Sequence, residues 1–185
     1  GTLELDLAGS RIDEFRFDTV HALLRGGEGG LRLDTLALGW AGGVLGSRGE
    51  LAWRDPDDRQ IHVEFRVDSL APLEPLLVRF AGSDSASDRT PLQGRVTGQV
   101  DISGSARSPR LVGWARGARL LWREARAPTL AVSFGWNDAA RPEIGAALRA
   151  DSVVVGRWVL KDLTGTIGGY QDSLRWLASG SFGDR

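Results

Sequence analysis

The side chains able to do chemistry are few, and their spacing supports little of it. His21 and His62, the two histidines, lie far apart with no neighbouring ligand pattern, so a metal site is not expected. Asp55, Asp57 and Asp58 offer carboxylates to a calcium ion, but with Pro56 among them they read more simply as a solvated turn. No nucleophile elbow, phosphate-binding loop or dinucleotide fingerprint is present, and the scattered serines have no nearby base. Catalysis and a bound cofactor are therefore not expected. Arg107, Arg110, Arg116, Arg119, Arg123 and Arg126 form a local basic cluster with Trp114 and Trp122, opposed only by Glu124. Such a cluster can hold phosphate headgroups at the rim of a groove, although a solvated outer face is the simpler reading.

The elements that would carry these residues are strands. Along residues 92–104 every second residue is apolar or glycine (Leu92, Gly94, Val96, Gly98, Val100, Ile102, Gly104), with polar residues between. A period of two gives a strand one wet and one dry face. After a turn-forming GSARSP stretch, Leu111, Gly113 and Ala115 resume the parity, and Leu130, Val132, Phe134 and Trp136 repeat it with larger side chains. Ile61, Val63, Phe65 and Val67 alternate in the same way, as do Ile144, Ala146, Leu148 and Ala150, and Leu174, Trp176, Ala178, Gly180 and Phe182.

Further strands are expected over 2–7, 12–24, 31–40, 49–53 and 153–163, with Ala8-Gly9-Ser10-Arg11 turning the chain after the first. Parity slips once between Leu33 and Leu36 and again between Leu160 and Leu163, as an extra residue at a β-bulge would produce. That shared slip suggests a weak repeat, with related halves at 1–82 and 92–185 joined by a linker at 83–91. Ser69, Pro72, Pro75 and the leucine spacing predict one short helix over 72–80, packed on the sheet near an open end.

Composition narrows the reading. The 185 residues carry 23 Lys and Arg against 24 Asp and Glu, a net charge of -1 that gives no reason to expect nucleic acid. The absence of cysteine removes disulfides and thiolate chemistry, and no apolar run reaches the roughly 20 residues of a membrane helix. With no methionine and strand patterns running to both ends, the sequence reads as an excised piece whose anchor or signal would lie outside it. So many half-dry strands with one short helix need a cover, and an open trough that binds something apolar is one solution. Seven tryptophans are many for this length; Trp40, Trp53, Trp136 and Trp176, all on dry parities, fill a core or line a groove.

The stretch GRVTGQVDISGSARSPRLVGWARGARL, residues 94–120, resembles the TamB and AsmA-like envelope proteins, and residues 31–77, with Gly49-Glu50-Leu51 and Asp68-Ser69-Leu70-Ala71-Pro72-Leu73, are similar in style. The resemblance implies an all-β antiparallel meander curved into an open half-pipe, or β-taco, with an apolar inner groove. It implies a periplasmic place in a diderm bacterium, an inner-membrane anchor outside this chain, phospholipid as partner and no catalysis. It also implies an outer-membrane β-barrel as a further partner, reached through parts outside this chain. Groove lining is then expected from Leu38, Trp40, Leu51, Trp53, Val63, Phe65, Val96, Val100, Ile102, Leu130, Val132, Phe134, Trp136, Ile144, Leu148, Ile167, Leu174 and Trp176. Two alternatives stand beside lipid passage: a scaffold or chaperone for β-barrel precursors that pair with a free strand edge, and a closed β-sandwich or solenoid with no groove.

Overall fold

The computed structural model describes residues 1–12, 15–52, 60–73, 92–105, 108–137, 143–170 and 172–184. Eleven strands form one sheet: β1 (Thr2–Ile12), β2 (Phe15–Gly27), β3 (Gly30–Trp40), β4 (Gly43–Ala52), β5 (Gln60–Val67), β6 (Gln93–Ser105), β7 (Ser108–Trp122), β8 (Ala125–Asn137), β9 (Glu143–Val155), β10 (Trp158–Tyr170) and β11 (Ser173–Asp184). Their spatial order is their chain order, and every neighbouring pair is antiparallel. A single parallel bridge, Ala52 to Ser105, joins β4 to β6. The edge strands β1 and β11 do not pair, so the sheet is an open half-pipe, neither a barrel nor a sandwich.

This single layer leaves the chain unusually exposed. Its accessible surface is 12485 Å², against roughly 8,700 Å² for a compact monomer of this mass. Ala22, Leu33, Ile61, Val67, Leu70 and Ala150 are buried, yet among the described residues no large side chain is fully enclosed.

Both slips of parity are bulges. Register shifts between Leu33 and Leu36 in the β3–β4 pairing, and between Lys161 and Thr164 in the β10–β11 pairing. A third shift, between Gln93 and Arg95, falls where Gly94 and Arg119 take φ of 128° and 53°. Asp162 has φ 52°, a left-handed conformation an L-residue adopts only where the surrounding pairing imposes it. An extra residue on one strand bends the sheet and raises its twist, so these bulges fold the layer toward one side.

Three expectations change. Ala8-Gly9-Ser10-Arg11 is no turn: β1 continues through it, and Gly9 at φ 61° makes a local break between the Ala8–Thr19 and Ser10–Phe17 pairs. Residues 153–163 are not one strand but the end of β9, a turn at Gly156-Arg157 and the start of β10. The chain also reverses at Arg123-Glu124, where Arg123 supplies the positive φ that a tight hairpin turn requires. Of the helix expected over 72–80, the described part is one 3-10 turn, Ala71–Leu73, and 74–80 lie outside the described residues, as does the linker 83–91. That turn is tied to the sheet end by the amides of Asp68 and Ser69, which donate to the carbonyl of Gly42 at 2.7 and 3.1 Å.

Candidate functional site

Directly opposed residues of antiparallel strands point to the same side, so the register shows which side chains share a face. One row crosses the whole sheet: Leu7, Val20, Leu38, Leu45, Phe65, Gly98, Ala115, Val132, Leu148, Gly165 and Ala178, each opposite the next. The row beside it, from β5 to β11, is Val63, Val100, Gly113, Phe134, Ala146, Ile167 and Trp176. A third is Ile61, Ile102, Leu111, Trp136, Ile144, Gly169 and Leu174. A fourth begins Val67, Val96, Gly117, Leu130. No charged residue enters these rows. Ser47, opposite Leu36 and Val63, is a polar residue on this face, and its buried hydroxyl finds no hydrogen-bond partner.

The expected lining residues therefore converge. Leu38 and Trp40 of β3 lie opposite Leu45 and Gly43, and Val63, Phe65, Val96, Val100, Ile102, Leu130, Val132, Phe134, Trp136, Ile144, Leu148, Ile167, Leu174 and Trp176 all fall on the same face as they do. The backbone of Leu51 pairs with Leu31, while Trp53 lies outside the described residues. At a strand spacing of about 4.8 Å, eleven strands carry this face across about 48 Å. That is some three times the roughly 15 Å hydrocarbon depth of one bilayer leaflet.

The opposite face is polar. Its rows run through His62 and Asp101, through Glu64 and Gln99, and through Arg66, Thr97, Arg116, Ala131 and Arg149. The few valines it carries show how the sheet bends: Val44 and Val112 are 56 % and 54 % exposed, whereas Val63, Val100 and Val132 on the apolar face are half-buried. A single layer shields one side this way where larger neighbours and curvature both favour that side. At the edges shielding falls away, leaving Leu3 60 % and Trp176 77 % exposed.

The glycines of the apolar face have a purpose that alternation alone did not reveal. A Cβ on Gly98 would stand 2.3 Å from Cζ of Phe65, one on Gly113 would stand 2.7 Å from Cζ of Phe134, and one on Gly43 would stand 2.6 Å from Cζ2 of Trp40. In each case an aromatic ring from the strand beside it occupies the space a Cβ would take, covering the glycine. Gly98→Val should therefore lift Phe65 and cost about 1–3 kcal/mol of unfolding free energy in denaturant titrations. Gly145, whose Cβ would meet nothing within 4 Å, should accept alanine without loss. Equal midpoints for the two variants would remove the ring-over-glycine account.

Both histidines lie among carboxylates on the polar side. His21 Nδ1 is 2.5 Å from Asp6 Oδ1. His62 Nδ1 is 2.6 Å from Asp101 Oδ1 and its Nε2 is 3.0 Å from Glu64 Oε1, while Gln99 Nε2 donates to Asp101 Oδ2 at 3.0 Å. Among the described residues no set of three acidic or imidazole ligands is arranged to hold a metal ion. The hydrogen bond to Asp101, then that to Glu64, raises the His62 pKa above 6.5, and the same bond from His62 lowers that of Asp101 below 3.8.

A raised histidine adds stability that is complete below its unfolded pKa near 6.5 and is lost as pH climbs through the folded value; a lowered aspartate adds stability that is complete above 3.8 and is lost as pH falls through its folded value. The pair therefore helps most between about pH 4 and 6.5. Thermal unfolding should show a lower Tm at pH 8.5 than at pH 6, and His62→Gln should shrink that difference. A difference unchanged in the variant would exclude the pair as its source.

Fold and face together define a class: an open single-layer antiparallel sheet, apolar on one side and charged on the other. Comparison with family models, curated proteins and solved structures finds no match to the chain.

Proposed function

We propose that the apolar face is a track for the acyl chains of phospholipid, and that the chain is a non-catalytic segment of a periplasm-spanning protein that carries lipid between the inner and outer membranes. One observation carries this reading: the row from Leu7 to Ala178 crosses eleven strands without a polar residue and has no covering layer among the described residues. Monomers seldom leave an apolar surface of that extent bare unless something binds it.

The energetics fit the cargo. At about 0.8 kcal/mol per methylene, a 16-carbon chain costs on the order of 12 kcal/mol to expose to water, and two chains make desorption very slow. A continuous apolar trough lowers that barrier while the headgroup stays in water, and it needs no selective polar contacts. The likeness of residues 94–120 to TamB and AsmA-like proteins supports the same reading and the same location. Native mass spectrometry of the purified chain tests it, because phospholipid should remain bound through gentle desolvation. A chain that never carries lipid, even after incubation with it, would count against the track.

A second reading, a scaffold for β-barrel precursors, draws on the two unpaired edges. Strand β11 presents a free edge with Leu174, Trp176 and Leu177 at 51 %, 77 % and 72 % exposure, which suits addition of a client strand.

A further inference from the structure

At the ends of β7 to β11 the apolar face finishes in a cluster of aromatic and cationic side chains that the track does not require. Trp122 is opposite Ala125, Ala125 is opposite Val155, and Val155 is opposite Trp158, so the two tryptophans face the same way about 14 Å apart. Phe182, opposite Leu160, packs its ring against Trp158 at a centroid distance of 4.8 Å. All three aromatics remain exposed. Each tryptophan also carries its own arginine from the adjoining turn: the Arg123 guanidinium is 5.5 Å from the Trp122 ring, and that of Arg157 is 4.6 Å from the Trp158 ring. Neither arginine has a carboxylate partner among the described residues, although Glu124 lies in the same rim beside Gly156.

We propose that this rim docks on the surface of an anionic phospholipid bilayer, with Trp122, Trp158 and Phe182 entering the headgroup layer and Arg123 and Arg157 binding lipid phosphates. Indole rings favour the boundary between headgroup and hydrocarbon, and a guanidinium stacked on a ring keeps its N–H groups for phosphate oxygens. A protein partner fits less well. The exposed part of three aromatic side chains amounts to about 300 Å², well short of the roughly 800 Å² per side of a stable protein interface. A bilayer needs no such continuous patch.

Docking is independent of whether the trough carries a chain, and vesicle co-sedimentation separates the two. The native chain should bind phosphatidylglycerol-containing vesicles more tightly than phosphatidylcholine vesicles, and should release them as salt rises from about 0.1 to about 1 M. Arg123→Gln with Arg157→Gln should weaken binding about thirtyfold, since each cation near an anionic surface contributes about fivefold. Trp122→Ala should weaken it with the arginines intact, and far-ultraviolet circular dichroism establishes that each variant is folded. The double arginine variant should keep its co-purified lipid, whereas Val100→Asp should lose that lipid and still dock. Failure to bind anionic vesicles, equal binding by native and double-variant chains, or equal binding to both vesicle types would overturn the proposal. So would a self-associated native chain that the same substitutions disperse, since the rim would then be a contact between copies.

Discussion

Val100→Asp is expected to strip phospholipid from the chain while lowering its unfolding free energy by only about 1–2 kcal/mol. Val100 occupies the middle of the apolar face, between Val63 on β5 and Gly113 on β7. A carboxylate there places an unpaired charge where acyl chains would run, and a charge in hydrocarbon is costly enough to displace them. In the empty protein the same carboxylate reaches water, because Val100 is only half-buried and no second layer covers it among the described residues. Lost terms are then part of one valine's burial and the poorer strand preference of aspartate. Ile102→Asp, from the neighbouring row, and Phe134→Asp, from the same row, should behave alike.

The ordering of the two effects carries the information. A closed core predicts the reverse, with several kcal/mol of destabilisation and no lipid to lose. Native mass spectrometry and denaturant titration on each variant, joined by photocrosslinking from an unnatural residue at Val132, measure both quantities. Inner-face charges that unfold the chain, in a protein that never crosslinks to lipid, would sink the track.

Much of this fold was legible in the sequence because a half-dry strand writes its geometry into alternate residues. Val96, Val100 and Ile102 announced their shared side before any partner was known, and Leu33-Asp34-Thr35-Leu36 showed its bulge as one broken step. Other features depend on register, which no single strand contains. Gly98 reads as a weak spot in a strand until Phe65 is found across from it, and Gly113 until Phe134 is. Turn residues misled in both directions. Gly9, inside a turn-like Ala-Gly-Ser, is held in β1 by pairing on both sides, whereas Arg123, with no turn signature, takes a positive φ because Trp122 and Ala125 are opposed. The apolar face itself was visible only as parity: alternation of apolar and small residues uses no particular residue type, so no motif marks it.

Deleting Asp162 should cost about 3 kcal/mol, more than any single side-chain change on the polar face. In the β10–β11 pairing Leu160 is opposite Phe182 and Gly165 is opposite Ala178, and the bulge at Asp162 absorbs the extra residue of β10 so that both leucine and glycine face the trough. Without that residue β10 alternates without a break and stays in register with β11, but it slips by one residue against β9, whose pairing runs level across the bulge with Lys161 opposite Ser152 and Leu163 opposite Ala150. Trp158 and Leu160 would then lose their places opposite Val155 and Val153 of β9. Two large apolar residues then lose their neighbours on β9, at about 1–2 kcal/mol each. Asp162→Gly separates the backbone from the side chain: φ of 52° suits glycine, so that variant should match the native chain to within about 1 kcal/mol. Because a bulge also bends its strand, the deletion should flatten the trough and reduce the lipid retained at native mass spectrometry even where the chain still folds. Equal unfolding midpoints for the deletion and Asp162→Gly would show that the slipped parity is incidental to how this sheet holds its two faces apart.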